Sequence, residues 1–548
     1  MDKEELKQRC LNVIEEHQDE IIALGKEAYK TPELGYKEFR TGKLMEEAFR
    51  KLGLEPETGV SYTGCRVSSG PKGNGPRVAV MGELDCIMCD AHPDAAEGGL
   101  VHACGHNVQL ANLYGAALGI LTSGVMEHLG GAADFIAIPA EECVDYEYRN
   151  RLMSQGTIHY LGGKQELMYR GGLDDTDMVL QCHMMEMESG KCCILDTKGN
   201  GFISKTVHFL GRAAHAGFAP EQGINALNMA ELAMNNIHAL RETFRDEDKV
   251  RVSIVIKEGG GLVNVVPERV AMEIMVRAFT IDAMEDASHK VNRSMKAAAM
   301  ALGGKVEIHD CIGYLPLNTD RRIARLYRDN MIAYEHAGED AFVEDWETAG
   351  STDLGDISQI MPCMHIWAGG IKGGLHTEKY RMDDPYTAYI VPAKMMALTI
   401  IDLLWDGGAR GKEIMGDFRP ALTKEEWAEI QTKVTKGGAN IIALRGRSSF
   451  QSPAYISIEM IAAAMGGKPF RWPAGTYVHS HGFDHIMMAM ETEINKDGVH
   501  YKELKGTPEE EAKLKESYAH LCKLRDEVIG MGVLPPIKNW HSINPNID

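Results

Sequence analysis

The sequence predicts an α/β protein in which a mixed, mostly parallel sheet with flanking helices is interrupted by a ferredoxin-like α+β domain. Short apolar runs at residues 77–82 and 132–139 enclose a helical pattern at residues 110–121, and this alternation is typical of a parallel sheet covered by helices. After about residue 201 the predicted order becomes β-α-β-β-α-β, the order of a split, ferredoxin-like unit. Because the α/β pattern resumes near residue 351, the smaller unit is predicted to be an insertion.

Two helices are predicted to precede the first strand. Apolar residues recur at helical spacing between residues 5 and 52, and the segment Thr31-Pro32-Glu33-Leu34-Gly35 breaks that pattern. A chain of 548 residues is too long for one hydrophobic core, so two or three domains are expected.

The remaining elements set the predicted domain boundaries. The insertion is predicted to contain a strand ending at Leu210, a helix at 224–240, strands at 250–257 and 269–279, a helix at 281–302 and a strand near Val306. A strand at 360–367 and an apolar helix at 389–405 then complete the α/β layer, and further helices are predicted at 423–434 and 508–531, with an apolar stretch at 455–465. We therefore predict a main domain at residues 1–198 and 314–412, an inserted domain at 199–313 and a C-terminal extension at 413–548.

Charge and cysteine usage exclude several classes of protein. The chain carries 58 Lys and Arg against 79 Asp and Glu, a net charge of -21, which argues against a nucleic-acid partner because phosphate binding needs a basic face. No run approaches the ~20 apolar residues of a spanning helix, and the start lacks the apolar region of a signal peptide, so we expect a cytoplasmic protein without a membrane partner. The 12 cysteines are scattered, and reduced thiols are expected.

Potential metal ligands follow the predicted strands. Cys104 and His106 are separated by one glycine, so their side chains can converge on one ion, and Glu141-Glu142 directly follows an apolar strand, where neighbouring side chains point opposite ways. Taken alone, the pair of Cys104 and His106 also fits a buried cysteine beside a structural histidine, and the pair of Glu141 and Glu142 also fits a solvated acidic loop. His183 and His376 also end apolar stretches, although each alone fits a core or turn histidine. Together the five ligands would suffice for two divalent ions of the Zn or Mn type.

With these ligands, the sequence resembles the dinuclear-metal amidohydrolases and peptidases, which include aminobenzoyl-glutamate hydrolase, hippurate hydrolase, indoleacetyl-amino-acid hydrolases and carboxypeptidase G. The resemblance spans roughly residues 1–410. It rests on the segments Thr31-Pro32-Glu33-Leu34-Gly35, Gly82-Glu83-Leu84-Asp85, His102-Ala103-Cys104-Gly105-His106-Asn107, Pro139-Ala140-Glu141-Glu142, Ala213-Ala214-His215-Ala216-Gly217, Asn264-Val265-Val266-Pro267, Ser351-Thr352-Asp353 and Gly374-Leu375-His376. The stretch at 351–356 is most similar to the aminobenzoyl-glutamate hydrolase branch.

The resemblance implies a role for each matched residue. The main domain is then the metal-binding catalytic domain, and the inserted domain is a lid and dimerisation domain. The implied metal ligands are Cys104, His106, Glu142, His183 and His376. Glu141 is the implied general base, which takes a proton from the attacking water and returns it to the leaving amine. Asp85 would orient a ligand, with a purely structural carboxylate as the alternative.

The resemblance also implies a homodimer. His215 lies in the insertion, and in the family this histidine enters the partner's active site to polarise the scissile carbonyl. Asn264 and Arg277 are candidates for binding the substrate's carboxylate or carbonyl, and for Arg277 a surface ion pair on a strand is the alternative.

Three features depart from the family pattern. Asn107 stands where many members carry Asp, and the charged, Tyr-rich stretch at 145–151 has no recognised counterpart. The extension after about residue 412 is also foreign to the compact members. Its His479, His481 and His485 suit either a polar loop or another metal or lining site.

The sequence thus predicts a cytoplasmic metallo-amidohydrolase that cleaves the amide C–N bond of an N-acyl or N-aroyl amino acid or a related small amide. The alternative is a dipeptidase or carboxypeptidase-like metallopeptidase with the same ions. A non-catalytic binding protein is disfavoured because all five ligands and Glu141 are retained. The acyl group, the amine and the metal are left open by the sequence.

Overall fold

The computed structural model divides the chain into two compact units, Met1–Thr423 and Lys424–Asp548. It describes residues 1–421 except residue 72, residues 470–543 except 479–482, 484 and 502–507, and scattered positions between 423 and 469.

The first unit contains eleven α-helices and nineteen strands within its described residues. The helices are α1 Lys3–Glu16, α2 Gln18–Tyr29, α3 Phe39–Lys51, α4 His106–Thr122, α5 Tyr146–Ser154, α6 Gly163–Tyr169, α7 Ala226–Leu240, α8 Ile281–Ala301, α9 Arg321–Tyr334, α10 Leu354–Ser358 and α11 Val391–Asp417. The strands are β1 Glu57–Val60, β2 Gly64–Ser68, β3 Arg77–Glu83, β4 Ile87–Met88, β5 Leu100–Val101, β6 Ala132–Ile138, β7 Met178–Met184, β8 Cys193–Ile194, β9 Thr197–Gly199, β10 Gly201–Leu210, β11 Arg251–Glu258, β12 Arg269–Ala278, β13 Lys305–Ile312, β14 Leu317–Asn318, β15 Phe342–Val343, β16 Trp346–Thr348, β17 Cys363–Ala368, β18 Ile371–Lys372 and β19 Arg381–Met382.

The main sheet has eight strands in the order β1-β2-β6-β3-β7-β17-β8-β15. The four central strands β6, β3, β7 and β17 run parallel to one another. Strand β2 is antiparallel to both of its neighbours, β1 and β6, and β8 is antiparallel to β17. Every residue of β3, β6 and β7 is buried, as expected for parallel strands covered on both faces. The predicted mixed, mostly parallel sheet with flanking helices is confirmed.

The inserted domain is a four-stranded antiparallel sheet in the order β11-β12-β10-β13. Helices α7 and α8 pack on it through buried apolar residues such as Met229, Ile237 and Val291. The predicted β-α-β-β-α-β order is confirmed, and the observed bounds differ from the prediction by one or two residues at most ends.

Within the part of the chain that the structure describes, one helical stretch, Tyr386–Asp417, is long and apolar enough to cross a membrane by length and composition. Within its most apolar window 89% of the residues are buried inside the protein, so it is a core helix. Two charged side chains in it are paired: Lys394 lies 2.7 Å from Glu15, and Asp402 lies 2.8 Å from Lys7. A charge inside a core helix requires such a partner.

The second unit contains an antiparallel sheet of β20 Phe470–Val478, β21 Ile486–Asn495 and β22 Gly498–Tyr501, with helices α12 Pro508–Gly530 and α13 Trp540–Ile543. The predicted helix at 508–531 is confirmed as α12. The prediction of a helix at 423–434, most of the apolar stretch at 455–465, and His479 and His481 lie outside the described residues. His485 precedes β21, and its ring lies 6.3 Å from that of Trp540.

Asp356, in α10, predicts a measurable effect of pH on stability. Burial raises the pKa of this carboxyl to about 7, well above its value of ~3.9 in an unfolded chain. The folded state therefore holds the proton more tightly, and the free energy of unfolding falls as pH rises from about 4 to about 7. Asp356→Asn is expected to shrink the loss of Tm between these pH values by a few degrees. The exposed Asp340→Asn, which removes the same charge, is the control, and an unchanged pH dependence in Asp356→Asn would contradict the assignment.

Candidate metal centre

The candidate site lies at the carboxyl ends of β3, β6 and β7, where ligands of parallel sheets collect. His106 is the first residue of the buried helix α4, and Gly105 before it has a left-handed backbone with φ of 83°. A Cβ on Gly105 would lie 3.1 Å from the Tyr380 hydroxyl and 3.3 Å from Met184 Cβ, so the turn that brings Cys104 beside His106 needs glycine.

The five predicted ligands form two overlapping groups. Ligand atoms of Cys104, His106 and His183 lie within 4.8 Å of one another, and so do those of Cys104, Glu142 and His376. Cys104 belongs to both groups, and His106 also forms a third group with Glu83 and Glu141.

Hydrogen bonds orient the histidines toward the centre of the cluster. His106 Nδ1 lies 2.8 Å from the backbone oxygen of Asp85 and 3.3 Å from its carboxylate, so Nδ1 carries the proton and Nε2 presents a lone pair. His183 Nδ1 lies against the backbone of Met184, while its Nε2 is 3.4 Å from Cys104 Sγ. The Asp85 carboxylate also accepts from the backbone N–H of Glu142 at 2.8 Å, so Asp85 contacts two of the predicted ligands.

The donor set fits divalent cations. His376 Nε2 lies 2.8 Å from Glu142 Oε1, and Glu83 Oε2 lies 3.0 Å from His106 Nε2. Neither contact has the geometry of a hydrogen bond, and within the described residues both Glu142 Oε1 and His106 Nε2 are buried without one. Burial, with Glu142 alongside, holds the pKa of the Cys104 thiol well above its usual range. A cation would satisfy both unpaired atoms and would favour the thiolate. His376 itself has a left-handed backbone with φ of 61°, a strain that is common at functional sites.

Glu141 faces the same space from the end of β6. Its Oε2 lies 4.0 Å from His106 Nε2. The pKa of Glu141 is well above the usual range for a glutamate. The main cause is burial, and the negative charges of Glu83 and Glu142 raise the pKa further. A buried carboxylate with a raised pKa is suited to accept a proton and return it.

A buried charge network that was not predicted from the sequence lies beside the cluster. Glu83 Oε2 lies 3.0 Å from His106 Nε2, and Glu83 Oε1 accepts from Lys164 Nζ at 2.6 Å. Lys164 in turn contacts Asp353 at 2.5 Å. Glu83 could have been found from its spacing, since it alternates with Asp85 at the end of β3 and their side chains share a side.

The three predicted residues of the inserted domain lie apart from the cluster or at its edge. His215 is exposed, and its Nδ1 accepts from the backbone N–H groups of Gly217 and Phe218 at 3.2 and 3.0 Å. In the neutral ring the proton therefore sits on Nε2, which leaves an outward-facing donor. Asn264 is also exposed, and its backbone oxygen accepts from Ala216 N at 2.9 Å.

Arg277 contacts a residue of the cavity wall. It donates to the Ser351 hydroxyl at 3.1 Å and to the backbone oxygen of Ala349 at 3.2 Å. Because Ser351 lines the cavity over the metal cluster, Arg277 stands at the edge of that cavity and not on a remote surface.

A cavity of about 350 Å³ opens onto the cluster. Aromatic and apolar side chains form much of its wall, namely Met185, Leu317, Trp346, Trp367 and Leu375. The Trp367 ring centre lies 4.5 Å from that of His183, with the ring planes tilted by 46°, and Trp367 Nε1 donates to Thr197 at 3.0 Å. Among the described lining residues the carboxylates are Glu141 and Glu142, which belong to the cluster.

Comparisons with known proteins show what this chain is similar to. Residues 198–302 match the family model of the peptidase dimerisation domain. Xaa-Arg dipeptidase of Mus musculus is 28% identical over 78% of this chain and 93% of its own. A dinuclear metal binding peptidase of the M20 family from Bacillus subtilis has a TM-score of 0.55 at 18% identity, with 71% of this chain and 99% of that chain covered.

An aminobenzoyl-glutamate utilization protein from Klebsiella pneumoniae has a TM-score of 0.54 at 17% identity, with 72% and 98% covered. At these identities the two solved structures show a shared fold. The predicted resemblance is confirmed: the chain is similar to metallopeptidases and amidohydrolases of the M20 family, and residues 198–302 match their dimerisation domain.

Proposed function

We propose that this protein hydrolyses the amide bond of N-acyl or N-aroyl amino acids or related small amides, using two divalent ions and Glu141 as general base. The observation that carries the proposal is the pair of ligand groups that share Cys104, with Glu141 facing the same space. Zn²⁺ and Mn²⁺ both suit this mixture of thiolate, imidazole and carboxylate.

Each polar residue has one task in the proposed reaction. Cys104, His106, Glu142, His183 and His376 would hold the ions. Bound divalent ions lower the pKa of water and polarise the scissile carbonyl. Glu141 removes a proton from the attacking water and delivers it to the leaving amine nitrogen, so the C–N bond breaks without expelling an amide anion. Asp85 keeps His106 in the tautomer whose Nε2 faces the ions.

The cavity wall supports a neutral acyl or aroyl group. Trp346 and Trp367 offer flat apolar surfaces, and Leu317 and Leu375 extend them. At the edge of the cavity, Arg277 offers a guanidinium that suits the carboxylate of the leaving amino acid, provided that it exchanges its contact with Ser351. Asn264 is proposed to bind the same carboxylate or the carbonyl from the inserted domain.

A dipeptidase is the second candidate, favoured by the mouse relative named Xaa-Arg dipeptidase. A dipeptide carries a free ammonium on its acyl side, which calls for a nearby carboxylate. The carboxylates among the described lining residues are Glu141 and Glu142, and both have other tasks in the proposed mechanism. The cavity therefore favours substrates that carry no free ammonium group on the acyl side of the scissile bond.

The proposed active form is a homodimer in which His215 of one protomer completes the site of the other. The dimerisation-domain match and the outward-facing Nε2 of His215 support this arrangement. Beside His215 and Asn264, the side chains of Phe218, Leu262 and Val263 are exposed by 87%, 68% and 102%, which is unusual for large apolar groups unless another surface covers them.

Metal content and amine release test the proposal together. Purified protein is expected to bind about two ions per chain and to release amine from N-acyl amino acids, N-aroyl amino acids or aminobenzoyl-glutamate. A chelator is expected to abolish release, and Zn²⁺ or Mn²⁺ to restore it. Release from dipeptides such as Xaa-Arg without release from any acylated substrate would select the second candidate. A protein that binds no metal after reconstitution would contradict the site itself.

A further inference from the structure

The residues that carry the proposed chemistry stand on a strained turn. After β6, the chain turns at Ala140, whose backbone is left-handed with φ of 59°, and then presents Glu141 and Glu142. For a residue with a Cβ this conformation costs about 1–3 kcal/mol and persists only where its surroundings enforce it. The contacts of this turn therefore decide where both carboxylates point.

Side chains hold the polar backbone groups of the turn one by one. The Ala140 N–H donates to Glu38 at 2.8 Å, and the Glu142 N–H donates to Asp85 at 2.8 Å. The Tyr314 hydroxyl donates to the Glu141 carbonyl oxygen at 2.6 Å. These side chains come from three different parts of the chain, so the turn is fixed by tertiary contacts.

Arg149 supplies further side-chain contacts to the turn, beside the backbone N–H groups of Gly163 and Val144, which donate to the Ala140 and Glu142 carbonyl oxygens at 3.3 and 2.8 Å. The Arg149 side chain lies on α5, within the 145–151 stretch that has no recognised family counterpart, and it is fully buried. Its guanidinium donates to the carbonyl oxygens of Leu161 at 2.6 Å, of Ala140 at 3.5 Å and of Glu142. It therefore joins both ends of the turn to the segment that follows α5.

The charge of Arg149 is unusual for its place. Among the described residues it forms no ion pair with a carboxylate; its partners are carbonyl oxygens and the Tyr36 ring, 5.5 Å away. Burying a cation without a counter-charge is costly, and an apolar side chain would fill a core at lower cost. What a guanidinium adds is a rigid planar fork that can bind several carbonyl oxygens at once.

We propose that Arg149 is a positioning residue: it fixes the Ala140–Glu142 turn so that the Glu142 carboxylate meets the metal ligands and the Glu141 carboxylate meets the reacting water. The expected effect on kcat rests on the proposed function. The expected effect on the position of the Glu142 carboxylate rests only on its assignment as a metal ligand. The alternative is that Arg149 only fills the small apolar cluster of Tyr36, Ala140, Leu152 and Ile158.

The test compares Arg149→Met with Arg149→Lys, and both with Arg77→Met. Arg77 controls for the loss of a buried arginine at a place remote from the cluster: at the end of β3 opposite Glu83, it pairs with Asp134 at 2.6 Å and donates to the backbone oxygen of Gly70 at 3.1 Å. Tyr314→Phe removes one hydroxyl from the turn and serves if Arg149→Met does not fold.

The first readout is the visible absorption spectrum of the Co²⁺-loaded protein, which reports ligand geometry without turnover. Arg149→Met and Tyr314→Phe are expected to shift it, and Arg77→Met is expected to leave it unchanged. The second readout is kcat at saturating metal, expected to fall about 10- to 100-fold in Arg149→Met with little change in KM, because a small misplacement of a catalytic group has such an effect. Arg149→Lys is expected to recover part of that loss.

Two results would overturn the proposal. One is a wild-type Co²⁺ spectrum in Arg149→Met, or in Tyr314→Phe should the former not fold. The other is an equal loss of kcat in Arg77→Met and Arg149→Met, which would mean that lost stability explains both. Failure of the wild type to hydrolyse any amide would reject the proposed function, while the spectrum would still decide whether Arg149 fixes the turn.

Discussion

Glu141→Gln is expected to lower kcat by a factor of about 10³, within the range of 10²–10⁴ that general acid–base catalysis contributes. Glutamine keeps the size and the polarity of the side chain but has no oxygen that can take a proton from water near neutral pH. Because Glu141 lies 4.0 Å from His106 Nε2 and is not among the proposed ligands, the number of bound ions is expected to stay unchanged. The loss should therefore appear in the chemical step and not in metal binding.

Two matched variants separate the role of Glu141 from its neighbours. Glu142→Gln replaces a proposed ligand, so it is expected to lose metal and activity together. Glu147→Gln makes the same chemical change on the exposed side of α5, and it is expected to retain wild-type kcat. The measurements are kcat, KM and bound metal for each protein. Wild-type kcat in a fully loaded Glu141→Gln would reject Glu141 as the base.

The proposed ligands could be predicted from the sequence because most of them lie at or after the end of a strand. Where an apolar strand such as β6 or β7 ends, its last side chains reach the carboxyl edge of the sheet, and this edge is where Glu142 and His183 lie. The one-glycine spacing of Cys104 and His106 is also a local signal. Because the central strands are parallel, their carboxyl ends lie at the same edge of the sheet, and this brings the segments together.

The supporting residues could not be predicted in this way. Tyr314 contacts the Glu141 backbone across 173 positions, and Lys164 contacts Asp353 across 189. No periodicity or spacing connects such distant positions, and a single sequence gives no covariation between them. Arg149 illustrates the limit well, since a charged residue in a Tyr-rich stretch is most simply interpreted as part of a solvated helix face, whereas its guanidinium is buried against carbonyl oxygens.

The proposed role of His215 depends on the proposed homodimer, which a single chain does not contain. Its contacts with Gly217, Phe218 and Val265 all lie in the inserted domain, and they leave Nε2–H directed outward. If the partner's site receives this donor, the donor stabilises the negative charge that develops on the carbonyl oxygen, and removal of such a group costs about 10²–10³ in kcat. His215→Ala is expected to show that loss while it retains its metal.

Mixing two inactive variants distinguishes a histidine that acts across the dimer from one that acts within its own chain. In a heterodimer of Glu141→Gln and His215→Ala protomers, the His215→Ala protomer keeps its own Glu141 and receives His215 from its partner, so one of the two sites is intact. Random reassociation makes half of the dimers mixed, and about one quarter of all sites should then regain wild-type turnover in a two-fold symmetric dimer. If His215 instead acts in the site of its own chain, each site of a mixed dimer lacks either Glu141 or His215, and mixing restores no activity. Recovery to about a quarter of wild-type activity after co-refolding, without recovery when either variant is refolded alone, would establish the exchange. Absence of recovery in mixed dimers isolated by two different affinity tags would place His215 in the site of its own chain or remove it from the reaction.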